Sequence, residues 1–121
     1  MSYVDGFLLV VPKKNMAKYK KIAKVAGKVW RDHGAVEYRE CVGDDLFIKG
    51  MPGFPKRVQM KKTETVLFSW IVYENKAQRN RVNASVMKDK RMLKMCEEMQ
   101  KSPIFELKRM SYGGFKTIVE L

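Results

Sequence analysis

The chain has 121 residues, the length of one domain, and 45% of them are hydrophobic, which excludes a disordered polypeptide. Lysine and arginine number 25 against 13 acidic residues, a net charge of +12 that admits RNA, DNA or anionic lipid as partners. No apolar run approaches the roughly 20 residues that span a bilayer, so no membrane crossing is expected, and two isolated cysteines without CxxC spacing, Cys41 and Cys96, argue against zinc and suit a reducing cytoplasm.

Residues 3–11, YVDGFLLVV, form a nearly continuous apolar run that predicts a strand buried on both faces. No basic segment precedes the run and no small-residue cleavage site follows it, so it is read as a strand and not as a signal peptide. After Pro12, apolar residues at Met16, Tyr19, Ile22, Ala23, Ala26, Val29, Trp30 and His33 recur at three-four spacing. That period predicts an amphipathic helix with Asn15 as N-cap and Gly34 as C-cap. Residues 35–43 alternate like a strand, with Val36, Tyr38 and Val42 opposed to Glu37, Arg39 and Cys41. Residues 44–62 carry prolines and glycines among charges and aromatics and read as a long loop.

ETVLFSWIVYE, residues 64–74, is again apolar on both faces and predicts a central strand. Asn75 is placed to cap a helix containing Val82 and Val86, and residues 90–101 give a second short helical period. The segment RMSYGGFKTIVEL predicts the last strand. The order β-α-β, loop, β-α-α-β is the split βαβ, ferredoxin-like pattern, an α+β class with a four-stranded antiparallel sheet in a single domain. Helices cover one face of such a sheet, yet its central strands are apolar on both. The expected partner is therefore a second copy, a homodimer joined sheet to sheet.

YVDGF, AGKVWRDHGAVEYRECVGDD, FSWIVYENKAQRNRVNASVMKD and KRMSYGGFK together resemble the YbaA-like family of short bacterial proteins. The resemblance extends over most of the chain and is weakest over residues 46–62 and 92–106. That family is similar to the dimeric α/β-barrel superfamily. The similarity implies a ferredoxin-like subunit paired through its sheet, in company with cofactor-independent monooxygenases, haem-degrading enzymes and ligand-binding regulators. It implies no catalytic residue.

Among the residues themselves, Asp5 stands out as a carboxylate in an apolar strand, beside Tyr3 and Phe7. Such a group is either paired with a lysine or arginine or available as a general base or ligand anchor. His33, the only histidine, is a second candidate proton acceptor, against its reading as a helix-end residue. Gly6, Gly113 and Gly114, brought together by pairing of the first and last strands, predict either a bulge or a dent for a flat ligand. Asp5, Phe7, His33, Tyr38, Trp70 and Tyr112 form the candidate pocket lining for a small molecule. Nucleotide and nucleophile motifs are absent, and neither cofactor nor metal is expected. The basic residues cluster on helix exteriors, among them Lys18 to Arg31 and Arg79 to Lys94, without interleaved aromatics. RNA contact is thus the less favoured partner. The function expected first is small-molecule binding by a cytoplasmic dimer. A cofactor-independent oxidase or monooxygenase using the same space is the alternative.

Overall fold

The computed structural model describes residues 1–121. Its elements are β1 (Tyr3–Pro12), α1 (Met16–Asp32), β2 (Glu37–Val42), α2 (Phe54–Arg57), β3 (Glu64–Tyr73), α3 (Lys76–Val86), α4 (Lys90–Lys101) and β4 (Ser111–Lys116), with short 3₁₀ turns at Lys13–Asn15 and Leu107–Arg109. The sheet runs β2-β3-β1-β4 and every neighbouring pair is antiparallel, the ferredoxin-like arrangement expected. The two strands that read as apolar on both faces, β1 and β3, occupy the centre.

Alternation assigns the faces. Asp5, Phe7, Leu9 and Val11 of β1 share the helix-covered face with Leu67, Ile71 and Tyr73 of β3. Two core clusters lie there. One joins Val29, Tyr73, Val82, Val86 and Met92, and the other joins Leu9, Val11, Tyr19, Ala23 and Leu67. Val4, Leu8, Val10, Val66, Phe68, Trp70, Val72 and Phe115 belong to the opposite face. On that face Val10 and Val66 are buried, whereas Phe68 is 47% exposed. The residue 44–62 segment, expected to be irregular throughout, contains the single turn α2, which sets Phe54 6.3 Å from Phe68 and so lies over this second face.

Capping chemistry marks three of the helix ends. The Asn75 side chain accepts from the backbone N–H of Gln78 at the start of α3, and Asp89 does the same from Arg91 for α4. Gly34 follows α1 at φ 113°, a conformation open chiefly to glycine. Asn15 precedes α1, but its side chain makes no cap and donates instead to the Ile104 carbonyl at 2.8 Å. The last strand is shorter than the sequence suggests. β4 ends at Lys116 because its partner β1 begins at Tyr3, the residue opposite Lys116. Beyond it, Thr117 N–H donates to the Ser2 carbonyl and Glu120 accepts from Ser2, while Ile118, Val119 and Leu121 are exposed.

Gly27, buried in α1, faces Tyr38 of β2. A methyl group there would fall 2.6 Å from a ring carbon of Tyr38. Alanine in a helix interior is worth about 1 kcal/mol over glycine, but overpacking a core costs about 1–3 kcal/mol. Gly27→Ala is therefore expected to be net destabilising, and a lower urea midpoint with unchanged m would register it.

Candidate functional site

Between the helix-covered face of the sheet, α1, α4 and residues 103–110 lies a cavity of about 1120 Å³. This is slightly above the usual size of small-molecule sites, about 300–1,000 Å³. Its wall is largely apolar: Phe7 and Leu9 from β1, Ile22 and Trp30 from α1, and Met92, Met95 and Met99 from α4. Unbranched thioether side chains adapt their shape to a guest, and they contact aromatic rings favourably.

Three glutamates border the cavity, Glu40, Glu64 and Glu106, and of these Glu40 alone has no basic partner. Glu40 follows Tyr38 by two residues on β2, so both project from the same face. Tyr38 Oη donates to Glu40 Oε2 and Tyr19 Oη, from α1, donates to Oε1, each at 2.5 Å. Both carboxylate oxygens thus accept, and no lysine or arginine pairs with them. Burial, and after it the adjacent carboxylate, pushes both phenols far above the ordinary tyrosine value. They remain neutral donors across the physiological range. The other charges around the cavity are differently placed. Arg109 Nη1 binds Glu64 Oε2 at 2.6 Å and Lys108 lies 3.7 Å from Glu106.

Asp5 is 1% exposed and lies outside this cavity. Arg79 Nε of α3 donates to its Oδ1 at 3.0 Å, and Asn83 Nδ2 donates to Oδ2 at 3.4 Å. Asn83 Oδ1 in turn accepts from Trp30 Nε1 and Tyr73 Oη, both at 3.0 Å. Arg79 also stacks over the Tyr3 ring at 5.0 Å. The basic helix exteriors of the sequence reading include Arg79, but it turns inward because its guanidinium lets the Asp5 carboxylate be buried without a naked charge. Gly114 makes room for the pair, since a methyl there would meet Arg79 Nη2 at 2.3 Å and Tyr3 Oη at 2.4 Å.

The six residues singled out from the sequence divide among several places. Phe7 and Tyr38 line the cavity. Trp70 borders it along β3, but its ring alternates to the opposite face, where Nε1 donates to Glu37 at 2.7 Å beneath Arg39. Tyr112 stacks on Phe7 at 4.9 Å outside the cavity lining. His33 sits after α1 and its Nε2 meets Asp89 Oδ2 at 2.8 Å, away from both Asp5 and Tyr38. The glycines give neither a bulge nor an empty dent. The β1–β4 register is uninterrupted from Tyr3 to Leu8, and the Phe115 ring lies over Gly6 and Gly113. Glu40, Tyr19 and Asn83 were not singled out, although Glu40 shares the parity of Tyr38. Nowhere do three His, Cys, Asp or Glu side chains converge as metal ligands, and no helix is long and apolar enough to cross a membrane.

Residues 2–105 match the family described as "Protein of unknown function (DUF1428)". The chain belongs to that family. It is 36% identical to the "Uncharacterized protein YbaA" of Escherichia coli strain K12 over 120 residues, 99% of each chain. Among solved structures it is similar to SnoaB, a cofactor-independent oxygenase from Streptomyces nogalater, with TM-score 0.62, 11% identity and coverage of 99% and 96% of the two chains. A nipsnap family protein from Agrobacterium tumefaciens aligns with TM-score 0.58 at 14% identity over 96% and 87% of the two chains. At such identities these likenesses establish the fold alone.

Two outcomes follow from this chemistry. Asp5→Ala strands Arg79 in a buried site, and a loss of about 3–5 kcal/mol in urea unfolding is expected. The phenols supply the second. A folded-state value raised above the unfolded one stabilises the fold fully below about pH 10 and loses that contribution as the pH rises further. Stability should therefore fall on the alkaline side, and Tyr38→Phe should make that fall shallower in a pH series of thermal melts.

Proposed function

We propose that this protein binds a small, largely apolar molecule in the cavity between its sheet and helices. The observation that carries the reading is the combination of about 1120 Å³ of mostly apolar space with a single unpaired carboxylate in its wall. A core formed only for stability would be close-packed. The second face of the sheet supports a homodimer. Phe68 and Phe115 are largely exposed there, beside Trp70, Leu8 and Val4, an apolar area that pairing with a second copy would remove from water. Free thiols at Cys41 and Cys96 fit a reducing cytosol.

A second reading is a cofactor-independent oxygenase acting in the same cavity, and Glu40 favours it. A carboxylate in apolar surroundings can accept a proton from an acidic C–H or O–H of a bound substrate. SnoaB, described as a cofactor-independent oxygenase, shares the fold. Contact with RNA has weaker support, because the exposed lysines of α1 carry no interleaved aromatic platform.

Native mass spectrometry of gently purified protein tests binding and assembly together. A dimer retaining a small extra mass is expected, and Phe68→Glu should convert it to monomer. A wild-type monomer would overturn the pairing of sheets. Met99→Trp, which fills the cavity from α4, should weaken retention of the extra mass by about tenfold or more while leaving the melting temperature within about 4 °C.

A further inference from the structure

Glu40 differs from the other acids around the cavity, and the one lysine of the lining without an acidic partner, Lys14, is exposed. Glu64 is neutralised by Arg109, and Lys108 lies beside Glu106. Glu40 has only two neutral phenols. Each phenol has one hydrogen to give and gives it to a different carboxylate oxygen, the pattern of an ionised acid acting purely as acceptor. Tyr19 is almost fully buried, whereas Tyr38 and Glu40 are half-buried, so the contact is partly shielded from solvent. Two hydrogen bonds spread the charge but do not cancel it. A carboxylate facing apolar space keeps lone pairs for further donors.

The ring faces around it are the other half of the site. Trp30 lies 6.1 Å from Tyr38, and Phe105 lies 5.8 Å from Tyr19. All four aromatics line the cavity. The faces of such rings are the negative end of their quadrupoles and attract cations. The helix exterior points the other way. Lys18, Lys20, Lys21, Lys24 and Lys28 are exposed, whereas Tyr19, Ile22, Ala23 and Ala26 face inward. The positive charge of α1 thus lies on the outside, and it is screened over a Debye length of about 8–10 Å at physiological salt.

We infer that the cavity selects an organic amine: a ligand with a flat or alkyl apolar body and a protonated nitrogen that pairs with Glu40 between Tyr19 and Tyr38. The inference rests on the cavity being a ligand site and adds the chemical class of the ligand. A neutral hydroxyl could donate to Glu40 but would leave its charge uncompensated. A carboxylate ligand would be repelled by it. An ammonium group gives a charge-assisted bond and also meets the ring faces.

Three probes of one shape separate the possibilities: naphthylmethylammonium, naphthylmethanol and naphthoate, titrated calorimetrically into the full-length protein at neutral pH. The ammonium probe is expected to bind at least about tenfold tighter than the alcohol, equivalent to about 1.4 kcal/mol, with naphthoate weakest. Glu40→Gln should erase the preference for the amine over the alcohol. Equal binding of amine and alcohol to the wild type would overturn the inference while leaving the cavity as a ligand site. Binding of none of the three would remove the ligand site itself. A preference for the amine that survives in Glu40→Gln would equally overturn it, by placing the selectivity elsewhere. Comparison of the three probes on wild-type protein stands even if the variant does not fold.

Discussion

The attachment of α3 to the sheet rests on a buried ion pair. α3 buries only two apolar side chains, Val82 and Val86, too few to hold an eleven-residue helix by hydrophobic contact alone. The remaining grip is polar. Arg79 and Asn83 reach down to Asp5, and Asn83 ties in Trp30 from α1 and Tyr73 from β3. One carboxylate on β1 therefore joins two strands and two helices. It also dictates composition elsewhere. β4 must carry glycine opposite Asp5, because any larger residue would displace Arg79 or Tyr3.

With α3 fixed over one half of the sheet, α1 and α4 enclose the other half. α1 approaches β2 closely enough at Gly27 to press on Tyr38. That contact sets the phenol over Glu40, and Tyr19 closes the arrangement from eight residues earlier on the same helix. The acid that holds the fold and the acid in the cavity have opposite fates. Asp5 is saturated by a guanidinium, and Glu40 is held by groups that orient it without neutralising it. A structural acid needs a partner within the chain, and Glu40 has none that carries a positive charge.

Most of the architecture was legible in the order and period of the elements. Two strands apolar on both faces had to be central, and the caps at Asn75 and Gly34 follow from local side-chain chemistry. The site was legible only in part. Asp5 draws notice because a charge in an apolar run must be answered, but its answer lies more than seventy residues away. Arg79 shares a face with Val82, Asn83 and Val86 by helical spacing, a signal outweighed by the general tendency of arginine to face water. Glu40 shares parity with Tyr38, yet an edge strand with alternating charges does not reveal which of its acids faces inward. The end of β4 depends on where β1 begins, a matter of pairing that local sequence does not carry.

The polar docking of α3 also affects how the molecule opens. Denaturants act in proportion to the surface that an opening exposes. Release of α3 uncovers its own two valines, the side chains they share a core with, Val29, Tyr73 and Met92 among them, and the polar groups around Asp5. The apolar part of that area makes the movement sensitive to urea. The helix that closes over Asp5 is in this sense fastened twice, by charge to β1 and by its valines to the core it shares with α1.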